Sequence, residues 1–102
     1  GMSQLERDRM LNLRKANEVR ASRARWKESL AEDRSRVVEA FLAPKPWILS
    51  ARVSEVLLAV PKFGPVKVDR VMQVAGVGSG ARVRDLTKRQ RCVLIRELRA
   101  RI

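Results

Sequence analysis

The chain has 102 residues, with 23 Lys and Arg against 11 Asp and Glu, no His and one Cys, so its net charge is +12. That length fits one small domain, the apolar share of 45% supports a modest core rather than wholesale disorder, and no zinc site or Cys/His nucleophile can be assembled. No apolar run approaches the ~18 residues of a membrane span, the N-terminus carries no signal core, and the lone Cys92 gives no disulfide framework, so a cytoplasmic protein is expected.

Gly1 before Met2 reads as a scar of tag removal and is left out of the fold reading. Ser3 with Glu6 three residues on is a capping-box pattern. No Pro or Gly interrupts the chain from there to about Ala31, which predicts a long helix rich in Leu, Ala, Arg, Glu and Lys. Val19, Trp26 and Leu30 form an apolar seam on it, and Arg20, Arg23 and Lys27 form a basic stripe beside that seam. Asp33 or Ser35 caps a second, short helix through Val37, Val38, Phe41 and Leu42, which Pro44 and Pro46 stop. Residues 43–49 read as a loop with Trp47 tucked onto the core. A third helix from about Ala51 to Val60 turns Val53, Val56, Leu57 and Val60 to one face, and Pro61 ends it.

The next segment is the most informative. Gly64 is expected to take the positive φ of a tight hairpin, and Pro65 suits the first position of a helix continuing through Val68, Val71, Met72 and Ala75. Two helices thus meet across a short turn. The second helix opens its first amides to solvent there, a ready phosphate site flanked by Lys62 and Lys67. A simple connection between packed helices would look the same. Gly76, Gly78, Ser79 and Gly80 then form a loop. The alternation of Arg82 and Arg84 with Val83 and Leu86 predicts an extended, mobile arm with both Arg facing one way, unless Asp85 or Asp69 pairs with them. Thr87 and Gln90 form a second capping box. The last helix runs to about Arg101, with Leu94, Ile95, Leu98 and Ile102 inward and Arg89, Arg96 and Arg99 outward.

The charge is uneven: residues 1–36 carry +4, 37–80 carry +2 and 81–102 carry +6. A polyphosphate is its natural partner, because each cation near a phosphate releases condensed counterions; an anionic membrane surface is the other candidate. Arg outnumbers Lys 17 to 6, which favours phosphate forks and guanine edges. The four aromatics, Trp26, Phe41, Trp47 and Phe63, sit mostly at core-like positions, which favours a duplex over a stacked single strand. Cys92 reads as structural filler. The dispersed carboxylates offer no catalytic or metal-binding pair.

The chain resembles the actinobacterial integration host factor family. The resemblance is carried by Arg20 to Lys27, Arg52 to Ser54, Leu58 to Lys67 and the tail Arg82, Arg84, Leu86, Arg89 and Gln90. It implies an all-α fold of about five helices. Residues 1–32 form a basic N-terminal helix, and residues 33–102 form a helix-two-turns-helix DNA-binding domain similar to one in a small-subunit ribosomal protein. It also implies a nucleoid-associated monomer, without cofactor or enzymatic activity, that bends or bridges duplex DNA and assists a recombinase. The implied DNA-binding set is Arg20, Arg23, Lys27, Arg52, Lys62, Gly64, Lys67, Arg82, Arg84 and Arg89. Three departures weaken single contacts: Ala81 where the family has a second Arg, Asp85 where it has a small residue, and Pro65 where a basic residue often follows the Gly. A ribosome-associated binder of structured RNA is the rival reading. A glycosylase fragment on the same domain is a third, but it lacks the catalytic N-terminal residue and zinc ligands.

Overall fold

Ser3 starts the first helix, its hydroxyl accepting the Glu6 N–H at 3.2 Å. In the computed structural model, which describes residues 1–102, α1 then runs Gln4–Glu32 without a break. At ~1.5 Å per residue it is roughly 43 Å long, and it accounts for the elongated outline of 56 × 28 × 23 Å. Only its second half is docked. Residues 4–18 are all exposed, whereas Val19, Arg23 and Trp26 are half-buried and Leu30 is fully buried, the expected seam.

The remaining helices are α2 (Arg36–Leu42), α3 (Pro46–Leu49), α4 (Val53–Leu58), α5 (Pro65–Ala75) and α6 (Lys88–Arg101), with a 3₁₀ turn at Val83–Asp85. The fold is all-α as expected, but it has six α-helices rather than about five. The extra one is α3, in the stretch read as a loop: Pro46 does not only stop α2, it sits at the first position of α3, where its missing N–H costs nothing. Asp33, not Ser35, organises the entry to α2, its carboxylate accepting the Ser35 N–H at 3.0 Å.

The core consists of 22 buried residues, all apolar. The faces read from the sequence supply most of it. Val53, Val56, Leu57 and Val60 come from α4 and its end, and Val68, Val71, Met72 and Ala75 from α5. Leu94, Ile95 and Leu98 come from α6. One expected core residue lies outside: Ile102, at the chain end, is exposed; on α2 the last residue, Leu42, is exposed too, and Ala40 joins Val37, Val38 and Phe41 in the core. Cys92 is also exposed, so it fills no gap in the core. Gly76 closes α5 in the left-handed conformation (φ 67°), and the Val77 N–H returns to Met72 O at 2.9 Å. Gln90 of the Thr87 capping box reaches across to Gly76 O at 3.0 Å, locking the start of α6 onto the end of α5.

Candidate nucleic-acid interface

Two groups of cations are assembled by different parts of the fold. The first gathers around Ser50, just after α3. The Val53 N–H bonds Ala81 O and the Val83 N–H bonds Ala51 O, each at 3.0 Å, so Arg52 and Arg82 face each other in an isolated antiparallel bridge. The Arg82 guanidinium donates to Ser50 O. From α1 the Arg23 guanidinium donates to Ser50 Oγ and, at 2.8 Å, to Trp47 O. Lys27, one turn further along α1, pairs with Glu55 of α4 at 2.9 Å. The basic stripe of α1 is therefore divided. Arg23 and Lys27 are tied to the body, and Arg20 is exposed without a partner in the chain.

The mobile, extended arm expected over residues 81–86 does not form. Val83 is fully buried and anchors the segment, the two bridge bonds tie it to residues 51–53, and residues 83–85 close into the 3₁₀ turn. Asp85 neither pairs with an Arg side chain nor stands free: its carboxylate accepts the Arg82 N–H at 3.1 Å and caps the turn. Arg82 and Arg84 consequently part company, with Arg82 half-buried on Ser50 and Arg84 exposed.

Glu55 is the one carboxylate that pairs with a cationic side chain of this group. The Lys27 ammonium bonded to it holds its carboxyl below the usual carboxylate range, Arg23 and Arg52 add to that pull, and partial burial opposes it. A depressed folded pKa stabilises above the unfolded value of ~4.3, and that stability is lost as pH falls through the folded pKa. The pair is well exposed, so its worth is below about 1 kcal/mol. Glu55→Gln is expected to cost that small amount at pH 7 and nothing at a pH below the folded pKa. It also frees Lys27 and removes a negative charge from a basic surface. Affinity for a polyanion should therefore rise a few-fold, and a titration showing weaker binding would count against this surface.

The second group lies at the turn between α4 and α5. The Phe63 N–H bonds Val60 O at 3.1 Å, with Pro61 and Lys62 as the two central residues. Lys62, not Gly64, has the positive φ, at 69°; Gly64 is extended at φ −84° and precedes α5 as its cap. Pro at the second place of a turn and positive φ at the third is the type II pattern. An L-residue pays strain there that Gly does not. Beyond Gly64, Pro65 has no N–H, and the N–H groups of Val66 and Lys67 have no acceptor within the chain. Lys67 Nζ stands 5.6 Å from the Phe63 ring centre, and Arg34 Cζ, from the α1–α2 connection, stands 5.8 Å from it. Arg34 Nε is buried without a partner. Its place here had no signal in the sequence, because the contact joins residues far apart in the chain.

Lys62, Gly64 and Lys67 are thus brought together, as are Arg23, Lys27, Arg52 and Arg82. Arg89 is exposed in the first turn of α6, and no bond or ion pair links it to either group.

Residues 43–98 match the S13-like H2TH domain family. All of the second group except Arg34 falls inside that stretch, and α1 falls outside it. The chain is also similar to sIHF in a solved structure of sIHF bound to an 8-bp palindromic DNA. The two are 28% identical with a TM-score of 0.69, over 83% of this chain and 98% of the other. None of the curated proteins matches the chain.

Proposed function

The chain belongs to the S13-like H2TH domain family, and from that premise we propose that it binds duplex DNA, chiefly through the phosphate backbone, as a nucleoid-associated protein. The observation that carries this reading is the α4–α5 turn, with two unpartnered amides at the start of an 11-residue helix and Lys62, Lys67 and Arg34 around them. Such a helix start receives one phosphate oxygen through its amides while the cations hold neighbouring charge. The likeness to a protein solved on palindromic DNA supports a duplex as the ligand.

Roles then differ among the ten candidate residues. Lys62, Lys67 and the Gly64–Lys67 backbone contact phosphate at the turn. Arg20, Arg52, Arg84 and Arg89, all exposed, reach phosphate or groove. Arg23 and Arg82 act by holding α1 and the 81–86 loop on Ser50, and Lys27 by holding α1 on Glu55 of α4. A narrow A·T-rich minor groove attracts an inserted Arg, and of the two Arg in the 81–86 loop Arg84 is the one free to enter. With cations at two places on one elongated molecule, the protein bends or bridges DNA and so aids chromosome organisation and a recombinase acting on the same DNA.

Binding through ~5–8 phosphates predicts a slope of log K against log[salt] of roughly −4 to −7. A slope shallower than about −2 would remove the backbone mechanism. The family's ribosomal likeness makes structured RNA the second ligand to test. In a competition shift assay, duplex DNA should displace the protein from an RNA hairpin, and the reverse order of preference would make it an RNA binder.

A further inference from the structure

Both tryptophans border one groove whose lining includes none of the duplex contacts proposed above, although Arg23 donates to the Trp47 carbonyl beside it. Cavities of about 360, 300 and 330 Å³ follow one another where α1 meets α2 and α3; Trp47 lines all three and Trp26 two of them. The indoles pack against the core yet stay half-buried, so the expectation that they serve the core accounts for only part of their surface. Lys15, Arg25, Arg36 and Lys45 also line these cavities. None of the four has an ion pair, and the only bond among them is from Arg25 to the Ser22 hydroxyl at 3.3 Å. Around α1, at about 100° per residue, the groove residues Ser22 and Ser29 lie roughly 160° from Arg20 and Lys27.

A double helix keeps its base faces covered and offers an indole a base to stack on only where a step is prised open. A single strand has both an exposed base face and a phosphate at every step, and proteins meet it with aromatic side chains set among cations. We propose that this groove binds an unpaired stretch of nucleic acid, with bases against Trp26 and Trp47 and phosphates on Lys15, Arg25, Arg36 and Lys45. A row of cavities separated by an indole suits successive bases better than one continuous apolar helix. Glu39, beside both tryptophans in the 360 Å³ cavity, accepts hydrogen bonds and, as a carboxylate, donates none. It can take a hydrogen bond from the edge of a stacked base, since every unpaired base carries an N–H donor, and so orients the base without selecting one. The protein then holds a duplex on one flank and an unpaired strand on the other, a combination suited to DNA opened during strand exchange.

The chain has two tryptophans and no tyrosine, so its emission reports on this groove alone. The experiment titrates the full chain with single-stranded oligonucleotides of about ten nucleotides, as DNA and as RNA of one sequence. A duplex and a synthetic peptide of alternating Glu and Leu run alongside. Quenching of about half the emission or more by either single strand is the expected result, and the form that quenches at lower concentration identifies the natural strand. The duplex should bind with little quenching. Arg25→Glu with Lys45→Glu changes two exposed side chains, so helix content should persist. The single strand should bind that variant at least about tenfold more weakly, with the duplex weakened by no more than about threefold. Emission unmoved by the oligonucleotides, or quenched as well in the double variant as in the parent, overturns the proposal. So does emission shifted by the peptide alone, which would make the groove a protein-docking site.

Discussion

Reversing the two lysines of the α4–α5 turn, Lys62→Glu with Lys67→Glu, should lower duplex affinity about a hundredfold or more while the melting temperature stays within a few degrees. Each change removes one counterion-releasing contact and sets a carboxylate against phosphate. Neither side chain is buried, so the fold loses little. A single change, Lys62→Gly, separates charge from geometry. Glycine takes φ 69° without strain, and the relief is worth up to about 1 kcal/mol once the extra entropy of the unfolded chain is counted. Lys62→Gly should therefore melt slightly higher and bind several-fold more weakly. A shift assay in which it binds as tightly as the parent would show that the strained lysine serves no ligand. Substitution at Gly64 should behave differently: its backbone is extended, and an added Cβ meets nothing within 4 Å. Gly64→Val should fold normally, and any loss of binding comes from the methyl groups standing where a phosphate approaches the Val66 and Lys67 amides.

The turn shows why some of the structure was legible and some was not. Positive φ was assigned to Gly64 because glycine adopts it freely. The better signal was Pro61, which fixes the second place of a type II turn and passes the left-handed requirement to the next residue, whatever it is. The helices around it were readable because Pro61, Pro65 and Gly76 punctuate them and the apolar spacing of α4 and α5 is clean. Helix α3 was missed because a proline that ends one helix also begins the next. The arm was misread because the period of two, Arg82, Val83, Arg84, fits a single bridge followed by a turn as well as it fits a strand. What no local pattern reveals is which cation is spent inside the chain. Arg23 bonds residues 24 and 27 positions away, and Arg82 reaches back 32 positions. Composition counted all of them as available charge. The fold turns Arg23 and Arg82 into braces and recruits Arg34 to the turn instead.

Those braces bear on how the two cationic groups work together, and Leu30→Ala tests it. Leu30 is the one fully buried residue of α1, and only the second half of that helix touches the body. Truncating it should cost about 2–5 kcal/mol, a large part of a total stability of roughly 5–15 kcal/mol, and lower the melting temperature by roughly 10–25 °C. Residues 4–18 are all exposed and have only the Ser3 cap and local bonds such as Gln4 to Asp8 to hold them helical, and an isolated helix of that length is marginal in water. Loosening the anchor should therefore speed amide exchange along the whole of α1 before it touches α4 or α5. Below its melting temperature the variant keeps the α4–α5 turn, so phosphate binding there should persist with a moderate loss of affinity. Arg20 travels with α1, and the Ser50 group loses Arg23 and Lys27 when α1 swings away. Fixed spacing between the two groups disappears with it. Energy transfer between dyes at the two ends of a bound duplex should then report less bending than with the parent at equal occupancy. If Leu30→Ala bends the duplex as far as the parent does, α1 takes no part in shaping the DNA, and the α4–α5 turn with its neighbouring loop carries the function alone.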